Sequence, residues 1–174
     1  MKPEQADLGI PKLRRPKTRE TDVSSGIRNA LQMHRLGIFV NLDQAKTDEA
    51  KAALIRNAGI LADEHVKRRG TPVWIFWRQN TGGAKLPGRG GRMQVVRFAL
   101  PGSADLTGVI YPTGRWCNLE IKKPGGRVSP HQKALSNLAT AAGAVFGVAD
   151  NAVAAVDFIH KAIQTEKTRL NPAM

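Results

Sequence analysis

The middle of the chain carries a succession of short segments that are typical of β-strands. They read PVWIFWRQN, MQVVRFAL, DLTGVIY and WCNLEIKK, and each is rich in β-branched, aromatic or alternating apolar residues. Helical patterns precede and follow them. Because several strands follow one another between helices, we expect an α/β or α+β domain with a mixed central β-sheet flanked by helices.

Two amphipathic helical patterns precede the strands. The first begins after Thr18 and stops at Gly37, and the face predicted to be buried carries Val23, Ile27, Leu31 and His34. The second covers residues 47–69, and the corresponding face carries Leu54, Ala58, Leu61 and His65.

Two further helices are predicted after the strands. Ser129 is the expected N-cap of the first, Pro130 its first residue, Gln132 the partner in a capping box and Gly143 the stop signal. Its predicted buried face carries Leu135, Leu138, Ala139 and Ala142. After a short strand, AVFGVA, we expect Asp150 to cap a last helix carrying Val153, Val156, Ile159 and Ile163.

The segment TGGAKLPGRGGR separates two of the strand patterns. Its glycines and cations predict a flexible basic loop, which could contact phosphate. The order GxxxxGK[ST] of a nucleotide-binding loop is absent from it, so a hairpin connection that touches the DNA backbone is the favoured interpretation.

The charge balance indicates a polyanionic partner. Lys and Arg number 27 against 14 Asp and Glu, which gives a net charge of +13 at pH 7. The sequence contains neither an apolar run long enough to span a membrane nor an evident basic amphipathic helix, so DNA is favoured over a membrane. Cys117 is the single cysteine, which excludes an internal disulfide and a multi-cysteine zinc site and fits a reducing cytoplasm.

The predicted organisation is one domain with basic ends. Residues 1–17 are expected to form a flexible arm, because three prolines interrupt a basic stretch that has no apolar signal core. Residues 18–165 are expected to form the folded domain, and residues 166–174 a basic tail that frays.

An acid and a lysine share one face of the last central strand. Alternation puts Glu120 and Lys122 together in NLEIKKPGG, although such a pair on its own is most often a solvated strand face. Asp105 begins the preceding strand, and the short connection PTGRW predicts that the two strands pair in antiparallel fashion. The carboxylates of Asp105 and Glu120 would then repel each other unless a cation lay between them.

A hard divalent cation suits this arrangement of oxygens. Asp105, Glu120 and the backbone carbonyl of Ile121 could supply its protein ligands, with Mg²⁺ or Mn²⁺ as the expected ion. Lys122 could then orient the attacking water and offset charge that develops on a phosphate.

Several motifs together resemble a known nuclease family. They are ETDVSSGIRNALQMHRLG from Glu20, WRQNTG at 77–82, PGSADLTGV at 101–109, LEIKKPGGRVSPHQ at 119–132 and AAGAVFGVAD at 141–150. In this order they resemble the virus-type replication and repair nuclease domain, VRR-NUC, of the PD-(D/E)XK superfamily.

The resemblance implies a restriction-endonuclease-like core and assigns roles to residues. Asp105 and Glu120 would bind metal, Lys122 would assist the nucleophile, Gln132 would lie beside the site and Glu20 would be the acid of the first helix. Gln132 has the alternative role of completing the cap at Ser129. Family members usually pass from the first helix through a short strand into WRQNTG, whereas this chain has a helical insertion near residues 41–72, which leaves Glu49 and Glu64 as alternatives to Glu20. The insertion could serve a dimer interface, substrate selection or packing alone.

Basic residues near these motifs are candidate phosphate contacts. The set, which includes one asparagine of WRQNTG, comprises Arg78, Asn80, Lys85, Arg89, Arg92, Lys123, Arg127 and Lys133. No recognition helix or zinc finger is evident in the sequence, so recognition of DNA shape is favoured over base sequence.

The expected function is that of a metal-dependent DNA endonuclease that acts on branched or distorted DNA such as a Holliday junction. The family resemblance adds the expectations of a homodimer and of a phage or prophage protein acting in the bacterial cytoplasm. The alternatives are a nuclease-fold protein that binds DNA without cutting it, and a nicking, restriction-like or RNA-directed nuclease.

Overall fold

The computed structural model describes residues 20–79, 83–87, 93–97 and 102–172, with no side-chain description for residues 20, 21, 83–87 and 93–97. The helices are α1 (Glu20–Met33), α2 (Asp48–Arg69), α3 (Pro130–Ala141) and α4 (Ala152–Leu170), and a short 3₁₀ turn covers Leu42–Gln44. The strands are β1 (Gly37–Phe39), β2 (Val73–Arg78), β3 (Gly83–Pro87), β4 (Met93–Arg97), β5 (Leu106–Tyr111), β6 (Arg115–Ile121) and β7 (Val145–Ala149).

Five strands form a mixed sheet in the order β1-β2-β5-β6-β7. The central pairs, β2 with β5 and β5 with β6, are antiparallel, and the outer pairs are parallel. Strands β3 and β4 pair separately as a two-stranded ribbon. The prediction of a mixed sheet flanked by helices is confirmed.

The segment predicted as a basic loop contains a strand. Gly83–Pro87 form β3 and pair with β4, so the loop prediction is wrong for these five residues. Their pairing across the hairpin outweighs the low strand propensity of glycine and proline. Residues 80–82 and 88–92 lie outside the described ranges, as does the predicted arm at 1–17.

The hydrophobic core lies on one face of the sheet, beneath α1 and α4. Trp74 and Phe76 of β2 stack there with ring centroids 4.4 Å apart. The helices contribute Ile27 and Leu31 from α1 and Ile159 and Ile163 from α4, all of them buried. Burying side chains of this size stabilises the fold by about 1.5–3 kcal/mol each, so this face contributes strongly to the stability of the domain.

Several predicted core positions are exposed instead. Leu61, Leu138 and Val153 are more than half exposed, Ala142 is exposed, and His34 lies beyond the end of α1. The helical periodicity is real, but α2 packs mainly at the sheet edge formed by β1 and β2, and α3 packs mainly at the other edge, against β7. An edge position leaves part of each apolar stripe uncovered.

The beginning and the end of α4 also differ from the prediction. Asn151, and not Asp150, is the N-cap, because its Oδ1 accepts a hydrogen bond from Ala154 N at 2.9 Å. The helix continues to Leu170 and includes the buried Glu166, in the segment predicted as a tail. In the described part of the chain, no helix has the length and apolar content needed to cross a membrane.

A buried ion pair fastens α4 to the sheet. Arg115, at the start of β6, donates from Nη1 to Glu166 Oε1 at 2.7 Å and from Nε to the Gly143 carbonyl at 2.7 Å. Arg169 lies farther from the same carboxylate oxygen, at 3.4 Å. The Glu166 side chain is only 2% exposed, so these arginines take the place of the water that would otherwise solvate its carboxylate.

We predict that Arg115→Met lowers the free energy of unfolding by about 2–4 kcal/mol, because a buried carboxylate then keeps only the longer contact to Arg169. Arg169→Met is the matched control. It removes a largely exposed cation and should lower the free energy by less than about 1 kcal/mol. Urea denaturation followed by circular dichroism measures both. Equal losses in the two variants would contradict the dependence on Arg115.

Candidate active site

The pairing of β5 with β6 brings two carboxylates together. Leu106 lies opposite Leu119 in the register of this antiparallel pair, so Asp105 and Glu120 are the next residues along. Asp105 Oδ2 accepts a hydrogen bond from Ile121 N at 2.8 Å, which fixes the Asp105 side chain against β6. The predicted strand pairing and the predicted approach of the two acids are confirmed.

Glu120 is buried, with a relative exposure of 1%. Its Oε1 accepts hydrogen bonds from Lys122 Nζ, at 2.5 Å, and from Gln132 Nε2. Among the described residues, its Oε2 has no hydrogen-bond partner. Leaving a buried carboxylate oxygen without a donor costs about 1–3 kcal/mol, and more for a charged group, so the charged form of Glu120 is disfavoured here.

The surroundings of Glu120 shift its pKa. Burial raises its pKa to about 7, and the neighbouring Asp105 carboxylate acts in the same direction, while the hydrogen bond from Lys122 opposes the shift. Near neutral pH a substantial fraction of Glu120 is therefore protonated. A bound cation would favour the charged carboxylate and lower this pKa.

Gln132 has two roles that the sequence left as alternatives. Its side-chain Oε1 accepts a hydrogen bond from Ser129 N at 2.8 Å, and its backbone N donates to Ser129 Oγ at 3.2 Å, so the predicted capping box is present. Its Nε2 donates to Glu120. Both roles coexist because the amide has an acceptor at one end and a donor at the other.

Gly102 positions the loop that carries Asp105, and the sequence analysis missed this role. Its φ is +91°, and a Cβ there would lie 2.5 Å from the carbonyl oxygen of His131 in α3. A side chain would therefore push the loop away from α3 and from Gln132. The sequence signal for this role is the Pro-Gly dipeptide at positions 101–102, just before Asp105.

The backbone places Glu20 at the same end of the sheet as the two carboxylates. Residues 34–36 connect α1 directly to β1, so the helix and strand run in opposite directions, and β1 is parallel to β2. The start of α1 therefore lies toward the end of β2, where Gln79 N donates to the Asp105 carbonyl at 2.9 Å. The side chain of Glu20 is outside the described structure. Glu49 and Glu64, the alternatives, are exposed on α2.

The predicted DNA-binding cations are described only in part. Lys123, Arg127 and Lys133 are exposed and follow Glu120 along the β6–α3 connection and the first turn of α3. Arg78 is exposed at the end of β2, next to the strand that follows Asp105. Lys85 belongs to β3, without a described side chain, and Asn80, Arg89 and Arg92 lie outside the described residues.

The donor set fits a hard divalent cation. Asp105 and Glu120 supply two adjacent carboxylates, one oxygen of which is buried without a partner among the residues that the structure describes, and Ile121 lies between Glu120 and Lys122 in the chain. Within the described ranges, no group of three or more His, Cys, Asp or Glu side chains lies together, so any ion there would depend on the pair and on backbone or water oxygens.

A scan against protein-family models finds no match to this chain, and a search of curated proteins finds none either.

We predict that Glu120→Gln changes the pH dependence of stability. A carboxyl whose pKa rises from 4.5 unfolded to about 7 folded stabilises the protein below pH 4.5, and this contribution is lost as the pH rises toward 7. The stability of the wild type relative to Glu120→Gln should thus fall by on the order of 3 kcal/mol between pH 4.5 and 8.

Chemical denaturation in EDTA across that pH range measures the difference, with Glu64→Gln as the control for removing an exposed carboxyl from α2. A wild-type to Glu120→Gln difference that stays constant with pH would show that Glu120 is not destabilised in its charged form.

Proposed function

We propose that the protein is a divalent-metal-dependent DNA endonuclease with a PD-(D/E)XK-type site, resembling VRR-NUC nucleases. One observation carries the proposal: Asp105 and Glu120 lie together at the end of an antiparallel strand pair, and Lys122 donates to the buried Glu120 carboxylate. Two acids and a lysine in this arrangement suit phosphodiester hydrolysis.

Each residue of the site has a separate role in the proposed hydrolysis. Asp105 and Glu120 would hold the ion together with the Ile121 carbonyl. When bound, Mg²⁺ or Mn²⁺ supplies Lewis acidity toward a phosphate oxygen and makes water a stronger nucleophile. Lys122 keeps an ammonium group beside Glu120, where it can orient a water and offset negative charge that develops on the phosphate. Gln132 holds Glu120 in place from the rigid first turn of α3.

The surface charge supports DNA as the substrate. The chain carries a net charge of +13, and Lys123, Arg127 and Lys133 are exposed along the segment that follows Glu120. Branched DNA such as a Holliday junction, a homodimer that cuts two strands, and a phage or prophage origin are further parts of the proposal. They are supported by the family resemblance.

A second candidate is a nuclease-fold protein that binds DNA without cutting it. The ion pair between Lys122 and Glu120 favours it, because Glu120 Oε1 already has two donors without any metal. Catalysis is favoured by the adjacent Asp105 and by Oε2, which has no hydrogen-bond partner among the described residues, since a purely structural pair gains nothing from a second acid.

We predict that Lys122→Ala lowers the cutting rate by about 10²–10³-fold while DNA binding is retained, because the lost ammonium group acts mainly on charge in the transition state. The assay uses labelled four-way junction, flap, single-stranded and linear duplex DNA, with Mg²⁺, Mn²⁺ or EDTA. It also shows which DNA structure is preferred.

Lys123→Ala is the matched control, because Lys123 is the adjacent exposed lysine. It should weaken binding and reduce the salt dependence of binding by about one phosphate contact, with the rate at saturating DNA preserved. Circular dichroism checks that both variants fold. Binding of every DNA with cutting of none, in either metal, would favour the second candidate.

A further inference from the structure

A cleft lies next to the two carboxylates on the same face of the sheet, between the strands and α3. Its volume is about 220 Å³. Its polar lining includes Gln79, Thr107 and Asn118, and its apolar lining includes Trp116, Leu135 and Phe146. Nothing in the proposed hydrolysis uses this cleft.

Strand geometry fixes the distance between the cleft and the site. Thr107 lies opposite Asn118 in the β5–β6 register, and each is two residues along its strand from Asp105 or Glu120. Residues two apart project to the same face and are separated by roughly 6–7 Å. A nucleotide whose phosphate lies at the carboxylates therefore has its neighbours within reach of the cleft.

The polar side of the cleft is held in a fixed orientation. Asn118 Oδ1 accepts hydrogen bonds from Thr107 Oγ1 at 2.5 Å and from Trp116 Nε1 at 3.0 Å. The indole N–H of Trp116 can only donate, so the Asn118 amide cannot turn over without losing that bond, and its Nδ2 points away from Trp116 as a donor. A preset amide beside a shallow cavity is suited to the edge of a nucleobase.

The apolar side presents an aromatic surface. Trp116 is 43% exposed and contacts Trp77 edge to face, with ring centroids 5.7 Å apart. This contact and the hydrogen bond to Asn118 hold the indole while part of it stays open to solvent. Proteins that bind single-stranded nucleic acid combine basic surfaces with aromatic side chains on which bases stack, and Trp116 offers such a ring.

We propose that this cleft binds one unpaired nucleobase of the DNA held at Asp105 and Glu120, with Trp116 stacking on the base and Asn118 contacting its edge. The inference builds on the proposed function, since the carboxylate site explains why a strand would lie there. A paired base is already stacked and hydrogen-bonded within the duplex, so the cleft selects DNA with an unpaired nucleotide near the scissile bond.

The test compares Trp116→Leu, which keeps apolar bulk without an aromatic ring, with Trp116→Phe, which keeps a ring. Binding of a short single-stranded oligonucleotide and of the matching duplex is measured by fluorescence anisotropy in EDTA. A 2-aminopurine in the oligonucleotide reports base stacking. Trp116→Leu should weaken single-strand binding by roughly 5- to 100-fold and abolish the 2-aminopurine response, with little change for the duplex, and Trp116→Phe should retain part of both.

Val153→Ala is the control, because it removes an exposed apolar side chain from α4, on the opposite face of the sheet. Equal losses for single strand and duplex, no loss, or no wild-type binding of the oligonucleotide would overturn the inference. The two proposals fail separately, because this assay requires no cutting. If Trp116→Leu weakens only single-strand binding, the base-binding cleft is supported even when no metal supports hydrolysis. If the protein cuts DNA but Trp116→Leu shows no such selective loss, only the base-binding cleft is refuted.

Discussion

The antiparallel pairing of β5 with β6 is the constraint on which the rest of the structure depends. It turns Leu106, Leu119 and Ile121 toward the core beneath α1 and α4. The alternate residues face the other way, so Asp105 and Glu120 meet at one end of the pair and Thr107 and Asn118 meet beside them. A slip of one residue would send the acids into the core, so the burial of Leu119 and Ile121 also fixes the site.

The charged form of Glu120 is destabilised by its surroundings, although the sheet around it is well packed. Glu120 is buried beside a second acid, and its pKa is raised to about 7. Lys122 and Gln132 both donate to Oε1, and within the described part of the chain Oε2 has no hydrogen-bond partner. The ion pair of Arg115 with Glu166 is different. Arg115 donates both to the Glu166 carboxylate and to the Gly143 carbonyl, and the ion pair joins α4 to the sheet. A buried acid with a strongly shifted pKa beside a polar cleft is typical of functional sites. A buried acid that is neutralised by a neighbouring arginine is typical of structural ion pairs.

Local signals in the sequence predicted much of this arrangement. The capping box at Ser129, the boundaries of α2 and the strand pairing around Glu120 follow from neighbouring residues and short turns. The contact of Arg115 with Glu166 spans 51 residues, and no local pattern reports it. Exposure of Leu138 and Val153 depends on where a helix sits against the sheet, which periodicity does not specify. Gly102 and the cleft depend likewise on the packing of α3.

The central claim is that Asp105 and Glu120 together bind a divalent cation, and calorimetric titration with Mn²⁺ tests it most directly. The wild type should show saturable binding that Asp105→Asn weakens at least about tenfold, since one of two anionic ligands becomes neutral. Glu64→Gln, an exposed carboxyl on α2, should bind as the wild type does. Absence of Mn²⁺ binding, or equal affinity in Asp105→Asn, would contradict the account.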